Sequence, residues 1–143
     1  RRVLFRSQFE GNYSGWDDFI QGIGQMSELA KSAELIVAEA NNKIWGAVGY
    51  VGPNVEKGYF PKGVPCIRML VVDPAARGNG LGWKLTQECI NRALRDGAEK
   101  IGLHTSPIMN VALPLYLRMG FVKDHDIEPI RGVPYAIYYK ALN

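Results

Sequence analysis

The apolar run Ile67-Arg68-Met69-Leu70-Val71-Val72 is followed by the turn Arg77-Gly78-Asn79-Gly80-Leu81-Gly82, and that turn by a long amphipathic stretch. No other feature of this chain narrows its fold as much. A strand that runs through a turn into a helix has to come back as a parallel strand, and Lys100 to Thr105 supplies one. The unit is therefore read as strand, helix over residues 80–96, strand, with a right-handed crossover. In sheets of this kind ligands bind beyond the carboxyl ends of the strands. The glycine turn lies at such an end.

Gly78, Gly80 and Gly82 let the backbone turn tightly and approach a ligand closely. The helix that starts there adds unpaired N–H groups and the positive end of its dipole, which together suit an anion such as a pyrophosphate. Arg77 adds a guanidinium fork for phosphate oxygens. The spacing is not that of a dinucleotide fingerprint, because Trp83 and Leu85 occupy the positions where its third glycine would fall. It is not a Walker A loop either, since Gly78 plus five is again Trp83. What remains is R-x-x-G-x-G. A glycine-rich turn with no ligand has the same local sequence, so this stretch alone leaves both readings open.

A second segment, Asn110-Val111-Ala112-Leu113-Pro114-Leu115-Tyr116-Leu117-Arg118-Met119-Gly120-Phe121, reads as a short helix stopped by a glycine. Pro114 falls near its first turn, where a missing N–H costs little. The two segments, in this order and with a strand between them, resemble the GNAT superfamily of acyl-CoA-dependent N-acetyltransferases over roughly residues 35–142. The resemblance implies an α/β (mixed α+β) fold: a twisted mixed sheet whose central parallel strands splay apart, flanked by helices. It implies that acetyl-CoA is the cofactor. Its pyrophosphate would lie on Arg77, Gly78, Asn79, Gly80, Leu81 and Gly82. Its pantetheine would run along Leu70, Val71 and Val72 and near Asn110. Tyr116 would stand near the thioester sulfur. The family opens with a strand, for which only Val3 to Phe5 is available here, so a shortened or altered N-terminus is expected.

The rest of the chain is read as one domain, residues 1–143. Trp16 to Ser32 has helical periodicity, weakened by Gly22 and Gly24. Leu35 to Ala38 and Ile44 to Val51 form a hairpin across Asn41-Asn42. Residues 52–65 form a long Gly/Pro loop that carries Tyr59 and Phe60. Strands near Phe121–Asp124 and Tyr135–Ala141 close the chain, joined by a loop with Pro129, Gly132 and Pro134. In the central helix Leu81, Leu85, Cys89 and Ala93, with Trp83, Ile90 and Leu94, are expected to form the apolar face.

Acetyl transfer to an amine requires a held thioester, a polarised carbonyl, a deprotonated amine and a protonated leaving thiolate. Tyr116 is the candidate acid, because a phenol pKa of about 10 lies near the roughly 8.5 of a thiol. A tyrosine packed in the core is the plain alternative. Asn110 suits a pantetheine contact or a helix N-cap equally. The base is open among His104, Glu39 and Asp126. His104 titrates in the useful range, and the alternative is a structural histidine. Tyr59, Phe60, Arg131 and Tyr135 lie on the two loops expected to flank the acceptor, as pocket walls or as ordinary loop packing. Cys66 reads as a small buried hydrophobe.

A net charge of +3 is too small to argue for nucleic acid. No apolar run approaches the roughly 20 residues that span a bilayer. His104 and His125 stand apart, and no Cys/His cluster has zinc spacing, so no metal is expected. Two cysteines make no disulfide framework, and a cytoplasmic location follows by default. The expected function is transfer of an acetyl group from acetyl-CoA to a primary amine of a small molecule or peptide by direct attack. The alternative is a non-catalytic acyl-CoA-binding module of the same fold. The sequence does not reveal the oligomeric state; a homodimer enters by analogy with relatives alone.

Overall fold

A computed structural model describes residues 2–6, 33–55, 58–107 and 112–143. The helix expected over residues 16–32 lies outside the described residues. The chain divides into two compact units, residues 1–51 with 67–92, and residues 52–66 with 93–143.

In the first unit β1 (Arg2–Arg6) pairs in parallel with β2 (Glu34–Ala40), Arg2 opposite Leu35. The opening strand is therefore present, two residues longer than the Val3–Phe5 core expected for it. β2 turns back through Asn41-Asn42 into β3 (Lys43–Val51). Both asparagines have positive φ, 54° and 63°, as a two-residue hairpin turn of this hand requires. Val37 and Ala47 sit at the heart of this sheet face, with Leu35, Ile44 and Val71 packed around them. β4 (Cys66–Val72) leads through a 3-10 turn (Pro74–Ala76) to α1 (Leu81–Arg95).

The buried face of α1 consists of Leu81, Leu85, Thr86, Cys89, Ile90, Arg92 and Ala93. Trp83 and Leu94, expected on that face, are 43% and 50% exposed. At about 100° per residue they fall just beyond its edge, while Arg92 falls inside it. Arg92 is tolerated there because Glu34 on β2 and Glu88 one turn earlier both accept from its guanidinium. A buried arginine needs such partners. The opposite carboxylates remain partly exposed.

In the second unit β5 (Lys100–Thr105), β7 (Val133–Ala141) and β6 (Val122–Ile130) lie side by side. β7 is antiparallel to both neighbours. The loop expected between the last two strands is instead a long hairpin closed by Arg131-Gly132, with φ of 52° and 78°. The prolines fit because β6 is the edge strand, and Pro134 precedes Ala136, the first β7 residue paired with β5. Cys66, at the start of β4, pairs in parallel with Gly102 of β5.

α2 (Ala112–Arg118) ends in a Schellman motif. Phe121 N donates to Tyr116 O at 3.0 Å and Gly120 N donates to Leu117 O at 3.1 Å. The apolar contact that accompanies such a cap is made by the Tyr116 and Phe121 rings, 5.7 Å apart and edge to face. Gly120 has φ +97°, and a Cβ there would lie 2.9 Å from Lys140 Nζ. Gly120→Ala is therefore expected to cost on the order of 1–2 kcal/mol of stability, read as a lower urea midpoint at unchanged slope.

Candidate functional site

The first part of the site is built on β4. Cys66 and Ile67 are buried, but Arg68 is half-buried, Met69 is 40% exposed, and Leu70, Val71 and Val72 are half-buried. The sequence pattern of a strand buried on both faces fails after its second residue. Within this stretch Met69 has a φ of +59°, outside the extended region. A non-glycine residue held there is strained, and such strain collects at functional sites. Cys66 at the start of β4 stands opposite Gly102 of β5 in a parallel pair. Nothing in the sequence marks Met69, because methionine has no preference for this conformation.

Beyond β4 the chain is tied down residue by residue. Asp73 is fully buried; its N–H donates to Trp45 O on β3, and its Oδ1 accepts from Ala75 N, both at 2.8 Å. Ala76 N donates to Asp73 O at 2.8 Å and Arg77 N to Pro74 O at 3.3 Å. Asn79 Nδ2 donates to Ala76 O at 3.2 Å and to Arg77 O at 3.4 Å. Asn79, expected to contact the cofactor, thus uses its side chain to brace the loop. Gly78 and Gly80 have φ of +85° and +75°, and a Cβ on either would meet nothing within 4 Å. The loop is open on the side the glycines face, and Arg77 is exposed beside it. Gly80 O accepts from Lys84 N at 3.0 Å, so α1 begins at Leu81 with its first N–H groups lacking helical acceptors. That arrangement fits an anion without any further group.

The second part lies on β5 and β7. His104 is flanked by two tyrosine rings, Tyr59 at 5.3 Å and Tyr135 at 5.7 Å between centroids, tilted by 50° and 47°. Tyr59 and Tyr135 were expected on the loops flanking the acceptor and His104 as a candidate base, and the three rings lie together. Phe60, expected beside them, is buried instead. It packs on Gly102, where a Cβ would come within 2.6 Å of its ring, and edge-on to Tyr139 at 6.2 Å. Phe60 thus anchors the 52–65 loop and lets its neighbour Tyr59 reach His104. Lys100 Nζ sits 4.1 Å from the Tyr139 ring centroid. The Tyr139 phenol is raised above its ordinary pKa by burial first and by the Asp124 charge second. Arg131 stands exposed at the hairpin turn.

Along β7, Tyr139 faces Phe60, whereas the next residue, Lys140, reaches the glycine that ends α2. The Phe60 anchor and the α2 cap therefore pack on opposite faces of this sheet. Tyr116 is 6% exposed on the cap side. Asn110 lies outside the described residues. Of the other base candidates, Glu39 is half-buried on β2. Asp126 is exposed and paired with Lys123 at 2.8 Å; its hydrogen bond, and then its charge, raise the Lys123 pKa. Among the described residues no three His, Cys, Asp or Glu side chains gather as a metal site, and no helix is long and apolar enough to cross a membrane.

A parallel strand pair, a glycine loop open to solvent and a helix starting at that loop define an α/β protein whose loop geometry suits a phosphorylated ligand. The chain belongs to the acetyltransferase (GNAT) family, whose model matches residues 4–121. Its fold is similar to that of a GNAT family acetyltransferase from Elizabethkingia anophelis with acetyl-CoA bound, at 20% identity, TM-score 0.65, covering 83% of this chain and 82% of that one. It is also similar to a putative acetyltransferase from Salmonella typhimurium with its cofactor acetyl-CoA, at 20% identity, TM-score 0.63, covering 89% and 73%. A third similar structure is the ribosomal-protein-alanine N-acetyltransferase of Brucella melitensis, at 19% identity, TM-score 0.63, covering 88% and 78%. No curated protein sequence matches this chain.

The Phe60 anchor can be tested directly. Gly102→Ala should cost about 1–3 kcal/mol through overpacking and shift the His104 ring signals in an NMR spectrum as Tyr59 moves. Unshifted His104 signals in the folded variant would show that Phe60 does not place Tyr59.

Proposed function

We propose that the protein transfers an acetyl group from acetyl-CoA to a primary amine of a small molecule or peptide. The observation that carries this reading is the open loop from Arg77 to Gly82, with left-handed glycines at 78 and 80 and a helix start at Leu81. Acetyl-CoA is present in two of the similar folds, and the loop's donors suit its pyrophosphate. Leu70, Val71 and Val72 are offered as the pantetheine strand, with Asn110 as a further contact. The acceptor is assigned to the Tyr59, His104 and Tyr135 rings, with Arg131 at the rim. Cys66 and Cys89 are both buried, which suits a reducing cytoplasm, and residues 1–143 act as one acetyltransferase domain.

In the proposed reaction the amine nitrogen attacks the thioester carbonyl carbon directly. The carbon–sulfur bond breaks, and the sulfur leaves as a thiolate. His104, on the Phe60 face of the β5–β7 sheet and so across it from Tyr116, is offered as the group that takes the proton the amine gives up. Tyr116 donates a proton to the thiolate. No covalent enzyme intermediate is needed. Tyr116→Phe should lower turnover by about 10²-fold or more, the usual worth of a positioned acid, at unchanged acetyl-CoA affinity. Turnover equal to wild type would remove Tyr116 from the chemistry.

A second reading is a binding module without turnover, favoured by one observation: β4 carries no carboxylate to serve as base. Calorimetric titration with CoA and acetyl-CoA, followed by an amine panel, separates the two. Wild-type protein should bind both ligands, and Arg77→Glu with Gly80→Asp should abolish binding. Binding without transfer to any amine would favour the module. A folded wild-type protein that binds neither ligand would end both readings.

A further inference from the structure

We propose that Asp73 is a positioning residue for the phosphate loop, one that sets which backbone N–H groups of the loop remain free for a phosphorylated ligand. The inference rests on the reading of Arg77 to Gly82 as the cofactor loop.

Asp73 is fully buried, and its Oδ2 has no hydrogen-bond partner among the described residues. A buried carboxylate is costly unless something in the fold requires it. Here the requirement is visible in the donors it consumes. Pro74 has no N–H. Ala75 N donates to Asp73 Oδ1, Ala76 N to Asp73 O, and Arg77 N to Pro74 O. Every N–H between the end of β4 and Gly78 is therefore turned inward or absent. The Asn79 amide closes the other side of the same turn through Ala76 O and Arg77 O. The first backbone donors that can face a ligand are those from Gly78 onward, where the glycines leave open space.

Asp73 also donates its own N–H to Trp45 O at 2.8 Å. Trp45 is nearly fully buried, and its indole N–H is itself tied to Ala40 O at 3.1 Å. The turn is thus referenced to β3, in the rigid core of its unit, rather than to solvent-exposed chain. Side-chain capping by aspartate at the start of a short helical turn is ordinary. What is specific here is the place: the cap lies four residues before Arg77 and sets where the anion donors begin. The Asp-Pro pair is the sequence signal that could have pointed to it.

The test uses the intact chain with two ligands, CoA and S-acetylpantetheine, which lacks the pyrophosphate. Asp73→Ala should weaken CoA binding by about 10-fold or more, the scale of a lost cap and a shifted loop, and leave S-acetylpantetheine binding unchanged. Asp73→Asn keeps the Oδ1 acceptor and should bind CoA within about 3-fold of wild type. Equal loss of both ligands in the alanine variant would mean general loosening and would overturn the proposal, as would wild-type CoA affinity in that variant. Loss in the asparagine variant matching alanine would overturn the acceptor role. Hydrogen exchange on wild-type protein needs no variant to fold: CoA should protect the amides of 78–82 and leave Ala75 and Ala76, already bonded, unchanged. New protection at Ala75 or Ala76 would overturn it too. Failure of the wild-type protein to bind CoA would be a failure of the cofactor reading, seen before any variant is made.

Discussion

The structure depends on one backbone conformation inside β4. At Met69 the chain takes a φ of +59°, inside the stretch Arg68 to Val72 that is not fully buried. An uninterrupted parallel strand would spend its N–H and C=O groups on the ladder with its neighbour. Here Cys66, at the start of β4, stands opposite Gly102 in a parallel pair. Strain at a non-glycine residue costs of order 1–3 kcal/mol and persists only where surrounding contacts fix it. Those contacts are visible on either side: buried Cys66 and Ile67 before it, and Asp73 bonded to Trp45 after it.

The same economy governs the glycine loop. A loop that holds an anion must leave N–H groups unbonded, yet unbonded N–H groups in a fold are costly. Under the proposed cofactor role both conditions are met: the donors of 75–77 are saturated internally, and those from Gly78 onward face open space. The positive φ at 78 and 80 turns the backbone without side chains to fill that space.

The strand–turn–helix–strand order, the Asn41-Asn42 hairpin and the glycine stop at Gly120 were legible in the sequence because each rests on local chemistry. Glycine and asparagine tolerate left-handed φ, and apolar periods mark buried faces. Met69 was not legible, because its conformation is imposed by tertiary packing on a residue with no such preference. The long β6–β7 hairpin was missed because Pro129 and Pro134 read as loop breakers, while an edge strand accommodates them. Tyr59 and Tyr135 were expected on flanking loops and His104 as a candidate base; that the three rings meet was not legible, because it depends on how the 52–65 loop packs on β5. The split between Tyr59 beside His104 and Phe60 in the core was not legible either, because it depends on the absent side chain of Gly102, more than 40 residues away in sequence.

Tyr116 brings the structural and the chemical readings of one residue together. Its carbonyl accepts from Phe121 N and its ring packs against Phe121, so it is part of the cap that ends α2. That role explains the tyrosine-to-Gly-Phe spacing through helix termination alone. It does not compete with proton donation. A general acid acts only if its hydroxyl is held in place while charge develops on the leaving atom, and a short helix fixes a side chain poorly unless its end is capped. The left-handed glycine and the edge-to-face ring contact supply that fixation at the last turn. A tyrosine free of the cap would have the same phenol but no defined position from which to use it.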